Sequence, residues 1–289
     1  MAVVDRFEAR LDDGMTVRRA ATVYALLFLY YAFLLVPIAW LVLSSLMSSE
    51  MLFSRELVPP LSQITLDHYA SVLTNETFLI YFINSSVVAV CTTLLTLACG
   101  IPAAYAVSRL EFPGRNYVIL GFLSSQMFPL VLLLIPFFTV MFRIGLIDTQ
   151  LGLILAHTVV SLPFVIWLLK GFFDGIPESL DDAAMMDGCS RLQVMYKVIV
   201  PLSLPGIAVS GFYAFIASWN DYLFVSVLAQ STGTRTLPLG LQLFQSAQQV
   251  DWGAVTAAAT VTMVPVVILF AFVQRWLVEG LTGTGMKGS

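Results

Sequence analysis

Few residues in this chain have the types and spacing that chemistry needs. Asp221 is the one acid inside a long apolar run, residues 198–235. A carboxylate there is costly unless it meets a cavity or a partner group. It is expected to line a polar space, to be hydrogen-bonded between helices, or to lie near the outer interface. His157 stands within another apolar run with no Cys, Asp or Glu at ligand spacing, so a packed or hydrogen-bonded imidazole is favoured over a metal ligand. Cys91 and Cys99 share an apolar run and Cys189 lies in a polar loop, which suits small packing residues better than a disulfide or a metal site. Gly280 and Gly285 have phosphate-loop spacing, but Met286 stands where Lys is required and no strand precedes them. No G-x-S-x-G or H-E-x-x-H sequence occurs. Hydrolysis by this chain, including hydrolysis of ATP, is therefore not expected, and neither is a metal or cofactor of its own.

The elements that must position these residues are membrane helices. Hydrophobic residues make up 58% of the 289, and charged residues 11%, against about 25% in a soluble domain. Mean hydropathy is +0.88. So few charges cannot cover a soluble surface, which excludes a soluble enzyme, a disordered chain and a nucleic-acid binder. Six stretches are free of charge or nearly so: 20–49, 77–108, 116–142, 149–169, 198–235 and 252–274. About 20 apolar residues in a helix cross the roughly 30 Å hydrocarbon core. The expected fold class is all-α integral membrane, with six transmembrane helices over residues 20–277, a cytoplasmic segment 1–19 and a cytoplasmic tail 278–289. The first run is too long for a secretory signal and is read as a retained helix. A barrel would need short alternating segments instead.

Lys and Arg set the orientation. With the N-terminus inside, the inner segments hold Arg6, Arg10, Arg18, Arg19, Arg109, Arg115, Lys170, Arg191, Lys197, Arg275 and Lys287, and the outer loops only Arg55, Arg143 and Arg235. Both termini are expected in the cytoplasm. Two outer segments, 45–76 and 230–251, are long enough to meet an external partner, and 66–73 reads as a short amphipathic helix. In the last run, Gly253 with Ala257, Ala258 and Ala259 reads as small-residue helix packing.

The inner loop 171–203 carries the most information. Pro177 suits a first helical turn. Glu178, Asp181 and Asp182 complement the helix dipole, and Gly188 is placed to end that helix in a left-handed conformation. A second helix from Ser190 is expected to present Leu192, Met195, Val198 and Ile199 on one face, before Pro201 and Pro205 break it. Two short helices joined at a glycine, with small Ala183 and Ala184, form a docking element that a partner surface can approach closely.

This loop resembles the "EAA" loop of ABC importer permeases, with its pattern E-A-A, three residues, G, nine residues, I-x-L-P. Here Asp182-Ala183-Ala184 is followed at that spacing by Gly188 and by Val198-Ile199-Val200-Pro201. The departures, Asp for Glu and Val for Ile and Leu, keep charge or apolar character. Ile101 to Ala106, Trp219-Asn220-Asp221, and Gln274 to Thr282 are similar to the shorter, six-span subunit of the maltose-type carbohydrate permeases, so the resemblance covers most of the chain.

The resemblance implies a permease in the inner membrane of a prokaryote, forming half of a heterodimer with a second permease subunit. Two ATP-binding subunits holding ATP and Mg would dock beneath, and an extracytoplasmic solute-binding protein would deliver a sugar. Asp182, Ala183, Ala184, Gly188, Ser190, Arg191, Leu192, Met195 and Pro201 would form the ATPase contact. Asp221 with Trp219 and Asn220, the Gln126-Met127-Phe128-Pro129 segment, and Asn84 with Ser85 would face the translocation pathway. The tail from Gly280 would reach toward the ATPases or hang free. Polyols and glycerol-phosphate esters are alternative cargoes. An ion-coupled secondary transporter is the alternative from another class, disfavoured by a single intramembrane acid and no internal repeat.

Overall fold

The computed structural model describes residues 17–52, 54, 60, 63–244 and 250–282. Most of the N-terminal segment 1–19 and the end of the tail, 283–289, lie outside the described residues. Within them the chain is helical, with one isolated antiparallel bridge between Met47 and Ile64. The helices are α1 (Val17–Ser45), α2 (Ser49–Leu52), α3 (Asp67–Leu73), α4 (Glu76–Arg109), α5 (Arg115–Gln126), α6 (Leu130–Arg143), α7 (Gln150–Asp174) and α8 (Ser179–Met186). There follow α9 (Arg191–Leu202), α10 (Leu204–Trp219), α11 (Leu223–Leu228), α12 (Leu237–Gly240) and α13 (Trp252–Thr282).

Four of these, α1, α4, α7 and α13, are long and apolar enough to cross a membrane unaided. Two further candidate crossings are bent pairs. Helices α5 and α6 meet at 103°, and α9 and α10 at 82°. The first bend falls at Gln126-Met127-Phe128-Pro129. Proline disfavours helical backbone in the residue before it, and Pro129 itself is extended, with φ −61° and ψ 120°. The second bend falls at Ser203, one residue after α9 ends, with Pro205 in the first turn of α10. The run 198–235 is thus not one span. It is divided among the end of α9, the 16 residues of α10, about 24 Å long, and α11 with the loop that follows it.

Helices α4 and α7 start where the sequence supplies an acceptor. Asn75 Oδ1 accepts the Phe78 N–H at 3.0 Å at the head of α4, and Thr149 Oγ1 accepts the Gly152 N–H at 3.0 Å at the head of α7. These side chains satisfy donors that no helical carbonyl can reach. The centre of the molecule is the packing of α4, α7 and α10 on one another. At Gly206 a Cβ would lie 2.3 Å from the Phe172 ring, so only glycine admits this approach of α10 to α7. Helix α13 packs on α10 through the buried Ala254, Ala257 and Ala258, clustered with Phe215 and Trp219, while Gly253 lies against His68 of α3. Helix α1 lies along α13 with its apolar side chains outward, as a lipid-facing helix does.

Candidate functional site

Two constellations emerge, a loop at the Arg109 end of α4 and a cavity between α5, α6, α7, α10 and α11. At the loop, α8 ends in a Schellman motif. The Cys189 N–H donates to the Ala184 carbonyl at 3.0 Å and the Gly188 N–H to the Met185 carbonyl at 3.0 Å. This requires a left-handed residue at Gly188, whose φ is +86°. A Cβ there would meet nothing within 4 Å, so the turn stands open to an approaching surface. Ser190 then opens α9 with a reciprocal capping box. Its Oγ accepts the Gln193 N–H and its own N–H donates to Gln193 Oε1 at 2.8 Å.

The loop has two distinct sides. Asp182, Ala183, Gly188, Arg191 and Pro201 are exposed, as are the apolar Met186 (88%) and Leu192 (65%). Ile176, Val194, Met195 and Ile199 point the other way, into one cluster with Ala104 and Tyr105 of α4, Leu169 and Phe173 of α7, and Ala214 of α10. Met195, expected in the docking face, is therefore a core residue at 1% exposure. Leu192 does not share its face. The buried stripe of α9 is Val194, Met195 and Ile199 with Val198 at its edge, because a π-helical turn over Met195–Ile199 displaces the simple three-and-four spacing. Ala184 is half-buried against the same cluster, and the Ser190 hydroxyl is occupied by its cap.

Polar ties fix the loop to the bundle. Arg109, the last residue of α4, sets its Nε 2.5 Å from Asp181 Oδ2, with both side chains almost fully buried, and its Nη2 donates to the Ile176 carbonyl at 2.8 Å. Ser108 Oγ donates to Asp174 Oδ1 at 2.6 Å, and Lys170 pairs with the other oxygen of Asp174. The sequence gives Asp181 only the role of a charge near a helix N-terminus. Its pairing with Arg109, 72 positions earlier, has no local signal.

The cavity holds about 520 Å³. Its walls are Ser125 and Gln126 of α5, Phe128 at the bend, Leu130, Leu133 and Phe137 of α6, His157 to Pro163 of α7 excluding Thr158 and Leu162, Tyr213 and Ala217 of α10, then Asp221 and Phe224. Asp221 follows the end of α10 and caps α11, its Oδ2 accepting the N–H groups of Phe224 and Val225 at 3.0 and 3.2 Å. The same oxygen lies 3.1 Å from His157 Nε2, and His157 Nδ1 lies 2.8 Å from Ser218 Oγ. A carboxylate only accepts, so in the neutral imidazole Nε2 carries the proton and Nδ1 accepts from the serine hydroxyl. Pro163 has no N–H for the Val159 carbonyl, so this acceptor beside the cavity lacks its regular helical donor.

Of the residues expected along a pathway, Gln126, Phe128 and Asp221 come together here, joined by His157. The others do not. Met127 turns away and is 86% exposed. Trp219 is buried on the opposite side of α10, stacked on Phe215 at 5.4 Å and edge-on to Phe82 at 5.9 Å, and Asn220 is the exposed C-cap of α10. Asn84 and Ser85 are buried and hold an outer loop. Asn84 Nδ2 donates to the Gly233 and Arg235 carbonyls at 3.0 and 2.9 Å, its Oδ1 accepts from Gln150 Nε2 at 2.7 Å, and Ser85 Oγ accepts the Leu237 N–H at 2.8 Å. Their polarity reflects unpaired backbone in a turn 150 residues downstream, which polarity alone cannot distinguish from a path lining. The same outer loop is clamped by Asp148, whose Oδ1 accepts from the Thr234 hydroxyl and from the Gln230 and Ser231 N–H groups at 2.8 and 2.9 Å. Those bonds, Thr234 foremost, hold its carboxyl well below the usual carboxylate range.

Known proteins share this arrangement. The chain is 40% identical to the inner membrane ABC transporter permease protein YcjP of Escherichia coli over 228 residues, 78% of this chain and 81% of that one. It is 36% identical to the trehalose transport system permease protein SugB of Mycobacterium tuberculosis over 273 residues, 93% and 99% of the two chains. A chain in the crystal structure of a bacterial ABC transporter involved in the import of the acidic polysaccharide alginate matches with a TM-score of 0.77 at 25% identity, over 89% of this chain and 96% of that one. The family described as binding-protein-dependent transport system inner membrane component matches residues 96–283, both loop and cavity included. A loop whose inner side is core and whose outer side is free, carried on bent membrane helices around a cavity, belongs to a chain of that family: this protein is an inner membrane component of a binding-protein-dependent ABC importer.

Proposed function

We propose that this permease imports a saccharide, and that it moves when ATP-binding subunits close against the loop 171–203. The carrying observation is the two-sidedness of that loop. Met186 and Leu192 stand exposed among charges, as apolar residues do where a partner docks, while Val194, Met195 and Ile199 on the reverse are packed into α4, α7 and α10. A push on the outer side therefore reaches three membrane helices through close-packed side chains and through the buried Arg109–Asp181 pair. Rigid-body rocking of these helices against a second permease subunit would expose the cavity to one side of the membrane and then to the other. The energy for the switch comes from the difference in loop contact between the open and closed ATPase dimer. ATP and Mg reside on those two subunits, and a solute-binding protein delivers cargo at the outer face. Both termini lie in the cytoplasm, from the bias of Lys and Arg.

A saccharide cargo is supported by the cavity and by relatives. Its walls combine the aromatic Phe128, Phe137, Tyr213 and Phe224 with a few polar groups, the composition that suits a sugar's apolar ring face and hydroxyl rim. SugB is the permease of a trehalose transport system. The test is to pull the natively expressed chain from membranes and identify what co-purifies by mass spectrometry. A second permease, an ATPase and a solute-binding protein are expected, and the binding protein screened against sugars names the cargo. Recovery of the chain alone would overturn the assembly.

A further inference from the structure

The cavity has a one-sided polar character. Asp221 spends one oxygen, Oδ2, on His157 and on the two N–H groups of α11. Its Oδ1 makes no hydrogen bond among the described residues, and its side chain is 15% exposed within a cavity-lining position. The Val159 carbonyl, deprived of its helical donor by Pro163, is a second acceptor on the same wall. No lysine or arginine lines the cavity among the described residues. The site thus offers acceptors and a carboxylate, with no lysine or arginine facing them among the described residues.

We propose that Asp221, held by His157, determines specificity: its free Oδ1 accepts a hydroxyl of a neutral saccharide and its charge excludes uronic acids and phosphate esters from this half of the path. This deepens the saccharide reading above and rests on it. A hydroxyl donating to a carboxylate makes a charge-assisted hydrogen bond, stronger than one between neutral groups. An anionic sugar meets like charge in a low-dielectric wall that holds no lysine or arginine among the described residues. His157 is a positioning residue. Its Nε2 holds Oδ2, which leaves Oδ1 without a protein partner among the described residues, and Ser218 fixes the imidazole. The glycerol-phosphate cargo that the sequence leaves open is on this account disfavoured, and a neutral sugar or polyol is retained.

The test reads occupancy of the cavity directly, on the complete transporter in proteoliposomes. Cys91, Cys99 and Cys189 are replaced by Ser, and Ala217→Cys places one thiol in the cavity wall. Its rate of maleimide labelling is measured with trehalose, with glucuronate and with glycerol 3-phosphate. Trehalose is expected to slow labelling and the two anions are not. Asp221→Asn keeps an acceptor for the α11 N–H groups, so the fold is retained, which co-purification of the partner subunits checks. It should raise the trehalose concentration needed for protection roughly tenfold, the scale of one charge-assisted hydrogen bond, and let glucuronate protect. His157→Gln should shift trehalose protection in the same direction by less. Equal protection by neutral and anionic sugars in the otherwise native protein, or unchanged protection in Asp221→Asn, overturns the proposal. ATP-driven uptake in the same vesicles is read separately: if no saccharide is taken up, the saccharide reading itself fails, whatever the labelling shows.

Discussion

Gly188 is a residue whose type is dictated twice. Its φ of +86° disfavours other side chains at a cost of roughly 1–2 kcal/mol, and the space around it is open, as the proposed docking requires. Gly188→Ala is therefore expected to lower the stability of the α8–α9 turn by about 1 kcal/mol while still binding the ATPase. Gly188→Trp is expected to lose the ATPase in a pull-down, and retention of ATPase would show that the turn is not in the interface. Asp221 has two jobs, cap and pair. Asp221→Ala removes both, costing about 1 kcal/mol for the cap alone, and uptake should fall while the permease pair still co-purifies. Uptake at the native rate would leave Asp221 a capping residue only.

Charged side chains tie down structure at both ends of the bundle. At the loop, Arg109–Asp181 is a buried pair, and removing one partner of such a pair typically costs 3–5 kcal/mol because the other is left charged and dry. Arg109→Ala should therefore free α8, seen as faster amide hydrogen exchange over 176–190 and as ATP hydrolysis without uptake. Exchange unchanged from the native protein would mean that apolar packing alone holds the loop. At the outer face, Asp148 has a depressed carboxyl pKa, so its contribution is complete above the ordinary value of 3.8 and fades only as pH falls below it. Amide protection over residues 230–234 should stay constant from about pH 7 to about pH 5 and collapse in Asp148→Ala throughout that range. Helix boundaries were legible where the signal is local: Gly188 as the stop of α8, and Pro201 with Pro205 as the end of α9. The face of α9 was not, because a π-helical turn over Met195–Ile199 leaves no mark in the spacing of apolar residues. Asn84 and Ser85 were misread for a related reason. Their partners are backbone groups of a turn far along the chain, and polarity on a membrane helix looks the same whether it serves a turn or a solute.

For the whole molecule, composition and six apolar runs sufficed for the fold class, since lipid leaves helices as the means for such runs to satisfy their backbone. They did not show that two crossings are bent by 103° and 82°, nor that the bends open a cavity beside His157 and Asp221. Cavities come from how α5, α6, α7, α10 and α11 pack, and no single run encodes that. The arrangement that results puts the loop 171–203 and the cavity on two shared helices, α7 and α10. The most direct measurement is uptake by proteoliposomes holding the chain with its partner permease, ATPases and binding protein, comparing ATP inside the assay with an ion gradient alone. Saccharide uptake is predicted only with both ATP and binding protein present. Uptake by the chain alone, driven by a proton or sodium gradient without ATP, would contradict the account and make it a secondary transporter.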